Sequence, residues 1–434
     1  MRALTILLFL LFTMNGAFAQ HVEVNIDERA IERQIELGMQ RLENVLAKVN
    51  LNLDVNLAVL KADQVNLDGP QKLKIFSRTY PATANDKVVL SNEYGSMQIK
   101  TWEKKEVKVE VSIKAYGNSD TDAQKLLDGV NIEAGKQGDQ VVFKTKINQV
   151  NLGLTRKRGR VEVKVDYIVY MPVSNSLTLS QNYGNVSLED LTGALYAKVQ
   201  YGNFSATNLK SNNNYISVQY GKTDIQHINK AVIKHQYGSG LTIGTVANLD
   251  LDAQYAAVSI NTIRGMALIK QQYGSGLTIG TTEQLDLNIQ YANATINTVK
   301  ANARINQQYS NLSLGTVSGL DLNTQYTSVT IGSLKGNGNI GMQYNKLSID
   351  EVGAQCRSLQ IDGNYLAINV GFAGGFNADF DVKTSYAPFK YGDQISAQLL
   401  GDRNSTSKNY TGRIGNGGTG LVKVKSDYGS VLFR

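Results

Sequence analysis

Tyrosine recurs through the middle of the chain at intervals of 17 to 19 residues. In a repeating fold such rings occupy equivalent positions, and they could form an aromatic stripe that stacks against sugar rings. The repeated residues are Tyr183, Tyr201, Tyr220, Tyr237, Tyr255, Tyr273, Tyr291, Tyr309, Tyr326 and Tyr344. The eight from Tyr201 to Tyr326 are candidate ligand-binding residues, with a cell-surface or matrix polysaccharide as the candidate ligand.

Three aspartates, Asp250, Asp286 and Asp321, share the position five residues before a repeated tyrosine. Glycoside cleavage would require a close pair of carboxylates. These aspartates recur on alternate repeats, so they would lie ~9.6 Å apart if each repeat rises ~4.8 Å. They therefore fit a polar row on the outer surface, and no catalytic residue is predicted. The sequence does not indicate an enzyme.

Histidine and cysteine are scarce, and they suggest no metal or cofactor site. The three histidines lack metal-ligand spacing. One of them, His235, falls at an inward position where packing is the better explanation. Cys356 is the single cysteine, so an internal disulfide is ruled out.

Positive charge is concentrated in one short segment that contains Arg156, Lys157, Arg158 and Arg160. The segment could be a solvated hairpin tip, or an anchor for an acidic polymer or lipid headgroups. The formal net charge is +7, but the remaining basic residues are spread along the chain. Nucleic acid is therefore not a predicted partner.

The sequence around each tyrosine predicts β-strands. Apolar Leu249, Leu251 and Ala253 alternate with polar residues before Tyr255, and the alternation resumes at Val258. A third apolar position follows a few residues later, after small turn-forming residues. Each repeat thus predicts a coil with two strands and a brief third side, and the coils would stack into a parallel β-solenoid. We expect right-handed winding from the general chirality of parallel crossovers.

A longer period of 36 residues lies on top of the first, because residues 237–245 return unchanged as residues 273–281. Duplication of a two-coil block would explain it, and so would a single turn of 36 residues. After Tyr344 the interval lengthens to 21, 21 and 42 residues, at Tyr365, Tyr386 and Tyr428. We interpret the last interval as two more coils of 21 residues.

The tyrosine itself continues the inward alternation, so we expect its ring to fill a corner of the core, with the hydroxyl directed to solvent. That placement favours a structural ladder, and a glycan-binding stripe is the alternative. A glutamine precedes most of the tyrosines and should point outward, where its amide can bond along the stack. These residues are Gln200, Gln219, Gln236, Gln254, Gln272, Gln290, Gln308, Gln325 and Gln343.

The chain divides into four predicted parts. Residues 1–19 form a secretory signal that ends at a small-residue cleavage site, so the mature chain should begin at Gln20. Residues 20–50 form an amphipathic helix, either a cap or a self-association element. Residues 51–175 are β-rich with one short helix, and residues 176–434 form the solenoid. No later segment predicts a membrane helix.

Within the β-rich part, alternating residues predict five strands and a helix near residues 121–130. The predicted strands are residues 87–90, 97–102, 106–115, 140–148 and 160–171. The final Tyr428 segment echoes the sequence around Tyr94, which indicates that the early region belongs to the same fold.

With these features in place, the chain resembles the putative-adhesin β-solenoid family, a domain of unknown function in secreted and envelope proteins of Gram-negative bacteria. The resemblance covers residues 75–434 and rests on segments 90–99, 107–113, 160–172 and 182–188, with Trp102. It implies a β-solenoid and an extracytoplasmic location. Its motifs are structural, so no functional residue is carried over.

Together these features predict a non-catalytic, secreted or periplasmic β-solenoid that acts as a structural or adhesive scaffold. The alternative is a β-helix that binds or cleaves polysaccharide. End-to-end stacking of copies is a further expectation, because an uncovered strand near residues 431–433 would invite pairing. Five points stay open at this stage: the ligand, the handedness, the residues per turn, the oligomeric state, and whether the protein is periplasmic or exported.

Overall fold

The computed structural model describes residues 69–148, 160–418 and 420–434. All of them belong to the compact unit Val55–Arg434. The predicted signal, the predicted helix within residues 20–50, and Arg156, Lys157 and Arg158 lie outside the described residues.

The described residues form twenty-five β-strands and one short α-helix. The first elements are β1 (Gln71–Pro81), β2 (Lys87–Glu93), β3 (Met97–Trp102), β4 (Glu106–Tyr116), α1 (Asp120–Asp128), β5 (Val130–Gln137), β6 (Gln140–Ile147) and β7 (Glu162–Pro172). They are followed by β8 (Ser176–Asn182), β9 (Val186–Leu188), β10 (Leu195–Gln200), β11 (Phe204–Leu209), β12 (Asn214–Gln219), β13 (Lys222–Gln236), β14 (Gly240–Gln254), β15 (Ala257–Gln272), β16 (Gly276–Gln290), β17 (Ala294–Leu334), β18 (Gly338–Val352) and β19 (Ser358–Phe372). The last are β20 (Ala378–Ser385), β21 (Phe389–Tyr391), β22 (Ile395–Leu400), β23 (Ser407–Ile414), β24 (Leu421–Asp427) and β25 (Ser430–Phe433).

The middle of the chain forms coils whose strands pair in parallel with the next coil. Leu241 pairs with Val258, and Asp250 pairs with Leu268, so partners are 17 and 18 residues apart. One turn therefore takes about half of the 36-residue period, and the parallel solenoid-like stack predicted from the sequence is confirmed. A 36-residue turn is excluded.

The inward side chains of successive coils form one continuous hydrophobic core. Leu249, Leu251 and Ala253 are at most 3% exposed, as the alternation predicts. Each buried Leu or Ile contributes about 1.5–3 kcal/mol. Because a single coil has no second layer to cover these side chains, it depends on its neighbours for that burial.

The 36-residue period arises because one extra residue alternates between two corners of the coil. At the corner after the second strand, two residues separate Val246 from Leu249, whereas three separate their partners Ile263 and Ala267. In the next coil the corner is short again, because two residues separate Thr282 from Leu285. We call these the two-residue and three-residue corners.

The turn that follows each tyrosine compensates for this difference. Three residues separate Tyr237 from the buried Leu241, whereas two separate Tyr255 from the buried Val258. A coil with the longer tyrosine turn has the two-residue corner. The next coil has the shorter tyrosine turn and the three-residue corner. Both coils keep 18 residues, and the sheet register is preserved.

At the amino-terminal end, antiparallel strands close the parallel stack. β2 lies between β6 and β8, and β3 lies between β7 and β9, so the chain near Tyr94 forms the first complete rung. Beyond it, β4 pairs antiparallel with β7 and β1, and β5 pairs antiparallel with β6. The predicted link between the Tyr94 region and the solenoid is confirmed.

The five predicted early strands and the helix are present, with ends shifted by a few residues. Ser119 caps α1, since its hydroxyl accepts a 3.1 Å hydrogen bond from the backbone N–H of Asp122. β1 and β5 were not among the predicted strands. No described helix is long and apolar enough to cross a membrane.

At the carboxyl-terminal end, the spatial order departs from the sequence order. β24 lies between β19 and β20, and β25 lies between β19 and β21. The segment between β21 and β24 is not a coil, because β22 and β23 form an antiparallel pair and β23 continues antiparallel along β20. The prediction of two further coils of 21 residues is therefore wrong.

The expectation of an uncovered strand at residues 431–433 is also wrong. Val431 pairs with Ile368 on one side and with Phe389 on the other. The terminal segment occupies the interior of the stack, so it offers no free edge for a second copy.

Candidate functional site

The repeated tyrosines form one unbroken column of stacked rings. In spatial order the members are Tyr94, Tyr183, Tyr201, Tyr220, Tyr237, Tyr255, Tyr273, Tyr291, Tyr309, Tyr326, Tyr344, Tyr365, Tyr428 and Tyr386. Neighbouring ring centroids lie 4.6–5.4 Å apart, and the ring planes differ by 3–14°. We call this column the tyrosine ladder.

The ladder lies on the surface, so the expected inward placement of the rings is wrong. Exposure ranges from 37% at Tyr344 to 60% at Tyr386. Every member has a positive φ, between 51° and 65°. This left-handed turn ends the strand alternation one residue early and directs the ring outward.

The left-handed conformation costs roughly 1–2 kcal/mol for a residue with a Cβ. Each stacked pair of rings returns roughly 0.5–1.5 kcal/mol beyond its area burial. The fourteen rings form thirteen stacked pairs, about one pair for each tyrosine, so stacking offsets part of the backbone strain. The ladder therefore contributes to the stability of the turn in each coil.

Stacking also decides what the ladder can bind. The faces of interior rings are turned toward adjacent rings, so a sugar cannot lie flat on them. What remains exposed is a ribbon of ring edges and hydroxyl groups. Within that ribbon the neighbouring Tyr344 phenol raises the pKa of Tyr326, chiefly by charge repulsion between the two groups.

A second row runs beside the ladder and consists of the glutamines that precede the tyrosines. Several amides donate along the stack, as predicted: Gln200 to Gln219 at 2.9 Å, Gln219 to Gln236 at 3.0 Å, Gln272 to Gln290 at 3.2 Å and Gln290 to Gln308 at 3.4 Å. Gln254 departs from the row, because its amide donates to Asp252 at 3.4 Å.

Buried polar side chains line the inside of the same corner, a feature that sequence reasoning missed except at His235. Gln271 is fully buried, and its Nε2 donates to the carbonyl oxygens of Ala256 at 3.0 Å and Gly276 at 3.2 Å. His235 occupies the equivalent position, as the packing interpretation predicts. Its Nδ1 lies 3.1 Å from Thr223 Oγ1, and burial lowers the pKa of His235 to about 4.

The predicted row of aspartates is interrupted by other residues. Asp250 pairs in register with Leu268, which pairs with Asp286. Asp286 in turn pairs with Arg304. The acids therefore alternate with an apolar and a basic residue, as the outer-row interpretation expects.

Two surface grooves lie along the corner side of the coils. The larger, of about 570 Å³, is lined by residues that include Met266, Gln284, Asp286, Asn302 and Arg304. The smaller, of about 290 Å³, is lined by residues that include Lys210, His227 and Arg264. Neither groove was predicted from the sequence. The larger one spans corners of alternating length.

Of the four basic residues Arg156, Lys157, Arg158 and Arg160, the last is the one that lies in the described part of the chain. Its Nε lies 2.7 Å from a carboxylate oxygen of Glu162, and its guanidinium lies 4.0 Å from the ring centroid of Tyr116. Among the described residues, no group of three or more His, Cys, Asp or Glu could hold a metal ion.

Comparison with known proteins gives no family assignment. No family model matches the chain, and no curated protein matches it.

Among solved structures, a putative cell adhesion protein from Clostridium sporogenes is 8% identical, with a TM-score of 0.19 over 83% of this chain and 99% of its own. A putative adhesin from Bacteroides fragilis is 10% identical, with a TM-score of 0.22 over 68% of this chain and 97% of its own. A putative lipid binding protein from Parabacteroides distasonis is 12% identical, with a TM-score of 0.21 over 68% and 96%. Likenesses this weak do not establish a common function.

Proposed function

We propose that the protein is a non-catalytic scaffold, structural or adhesive, of the cell envelope or the extracellular space. The observation that carries this proposal is the unbroken tyrosine ladder on a parallel stack, with antiparallel strands beside β7 at one end and beside β20 at the other. This construction repeats an outward tyrosine on successive coils, and on most of them an outward glutamine beside it. It suits contact with an extended partner along the stack.

Repetition favours adhesion because many weak, equivalent contacts act together on a repetitive partner. Each further contact forms at a high effective concentration once the first has formed. The ladder, the glutamine row and the grooves all run along the stack. Adhesion would thus require no deep site on any one coil.

The antiparallel strands at both ends support a scaffold that does not polymerise end to end. Edge strands invite pairing with another chain, and these strands cover the edges of β6, β7 and β20. The carboxyl-terminal segment, which the sequence suggested as an open edge, is paired on both sides.

An extracytoplasmic location is part of the proposal. It rests on the predicted secretory signal in residues 1–19. Fractionation of cells that express the full chain, with amino-terminal sequencing of the exported product, tests this. The proposal expects a product that begins at Gln20 and is absent from the cytoplasm.

Polysaccharide binding is the second candidate, and the partial exposure of every ladder tyrosine favours it. A polysaccharide would contact the tyrosine hydroxyl groups and the adjacent glutamine amides, because the ring faces are stacked against each other. A linear polymer that lies along the ladder would meet the same groups on each coil.

The experiment for the proposed function coats beads with the purified chain and measures their attachment to intact bacterial cells and to immobilised polysaccharides. Beads that carry heat-unfolded protein are the control. Attachment that requires the folded chain supports an adhesive scaffold. Equal attachment by both preparations would remove the adhesive role.

A further inference from the structure

The alternating corners shape one side of the stack into ridges and recesses. Three-residue corners occur at residues 264–266 and 300–302, and the two-residue corner at residues 283–284 lies between them. The longer corners have one residue more and project further. The recess between Met266 and Asn302 belongs to the groove of about 570 Å³, within the range typical of small-molecule sites.

We infer that this recess binds a neutral saccharide segment, which would make it the ligand site of the adhesive scaffold proposed above. The inference rests on that proposed function and adds a site and a ligand class to it. It concerns a different surface from the tyrosine ladder.

The polar lining matches a ligand rich in hydroxyl groups. Gln284 and Asn302 contribute amides, which both donate and accept hydrogen bonds. Asp286 contributes a half-buried carboxylate, for which no hydrogen bond or ion pair forms within the described chain. A sugar hydroxyl can donate to that carboxylate and accept from an amide at the same time.

The charge of the recess argues against an acidic ligand. Arg304 Nε lies 3.6 Å from Asp321 Oδ2, so the guanidinium is already paired. Asp286 is then the uncompensated charge among the lining residues, and an acidic sugar would be repelled by it.

Apolar contacts complete the match. Met266 lines the groove, and Leu268 pairs in register with Asp286; each is 46% exposed, although both lie among polar neighbours. Exposed apolar side chains beside hydrogen-bonding groups suit a sugar, which has C–H faces as well as hydroxyl groups.

The spacing of the ridges indicates that the ligand could be a polymer. Successive three-residue corners lie two coils apart, or ~9.6 Å at the spacing of parallel strands. A third such corner follows at residues 335–337, and Asn337 also lines the groove. A recess therefore recurs after about the length of one disaccharide unit, so an extended glycan could occupy neighbouring recesses.

The test is a glycan array probed with the full chain, with neutral gluco-, manno-, galacto- and N-acetylglucosamine oligosaccharides beside acidic ones. Affinity for the strongest neutral oligosaccharide is then measured by calorimetry for the natural chain and for Asp286→Ala. We expect at least a tenfold loss of affinity in the variant. Asp224→Ala is the matched control, because Asp224 is on a different face and pairs with Lys222 at 3.5 Å; its affinity should be unchanged.

Thermal melting of each variant confirms that the fold is retained, and Met266→Ser provides a second change in the recess. Unchanged affinity in both recess variants, or binding of acidic glycans alone, would overturn the inference. A blank array from a chain that still attaches to cells would overturn the recess site and leave the adhesive scaffold intact. A blank array from a chain that attaches to nothing would overturn both.

Discussion

The rings of Tyr365 and Tyr428 stack at 5.1 Å, although a further coil and an antiparallel pair of strands separate them along the chain. Tyr428 then stacks on Tyr386, so the terminal segment sits between two coils that precede it in sequence. The parallel stack is completed only when the end of the chain is inserted. This arrangement makes the terminal segment essential to closure.

Deletion of residues 421–434 should therefore expose new strand edges on β19, β20 and β21. We expect the shortened chain to self-associate, because unpaired edges pair with other chains. Light scattering across a concentration series measures this. Shortening the loop at residues 401–406 is the control, since it removes no strand, and a monomeric deletion variant would contradict the prediction.

The tyrosine ladder predicts an unusual order of stability for substitutions at Tyr255. Tyr255→Ala should lower the free energy of unfolding by about 1–3 kcal/mol, because two stacking contacts are lost. Tyr255→Gly loses the same contacts, but glycine adopts the φ of 53° without strain, so it should be more stable than the alanine variant by about 1 kcal/mol. Urea unfolding measures both values.

Tyr255→Phe separates stacking from the hydroxyl group. The phenylalanine ring can stack as tyrosine does, so the unfolding free energy should change by less than about 0.5 kcal/mol. A loss as large as that of the alanine variant would show that the hydroxyl, rather than the ring, stabilises the turn.

His235 predicts a loss of stability in mild acid. Burial lowers its pKa to about 4 from 6.5, so the unfolded chain binds the proton more tightly than the folded chain does. Stability should fall as the pH drops from about 6.5 to about 4, by on the order of 3 kcal/mol from this one group. Unfolding curves between pH 7 and pH 4 measure the effect.

The matched variant is His235→Gln, because Gln271 occupies the equivalent position two coils later. Glutamine does not titrate, so the variant should lose this part of the pH dependence. If both proteins respond equally to acid, His235 is not the group responsible.

Two nearby glycines should respond very differently to alanine. A Cβ at Gly274 would lie 2.3 Å from both the Ala256 carbonyl oxygen and Gln271 Nε2, whereas a Cβ at Gly276 would lie 3.6 Å from its nearest neighbour. Gly274→Ala should cost about 1–3 kcal/mol through overpacking. Gly276→Ala should be close to neutral, and equal costs in thermal unfolding would contradict the assigned turn geometry.

Much of the repeating part of the fold could be predicted from the sequence. Alternation before Tyr255 and the regular interval predicted the strands, the parallel stacking and the inward Leu251, because local patterning and burial agree there. The outward direction of the glutamine row could be predicted from the same alternation. The outward placement of the tyrosines could not be predicted, because a left-handed residue reverses the direction of the side chain without changing the spacing.

Other features depend on contacts that spacing does not encode. The interval of 42 residues before Tyr428 equals two coils of 21 residues, yet the intervening chain forms an antiparallel cap. The groove beside Asp286 arises from one residue that alternates between two corners. The 36-residue period was its only trace in the sequence, and that period also fitted a longer turn.

The measurement that tests the proposed scaffold most directly is co-sedimentation of the full chain with insoluble polysaccharides and with intact bacterial cells, with release of reducing sugar followed in the supernatant. We expect saturable sedimentation of the folded protein, with no release of reducing sugar above the protein-free control. A chain that stays in the supernatant with every target would contradict adhesion. Steady release of reducing ends would show instead that the stack supports a catalyst.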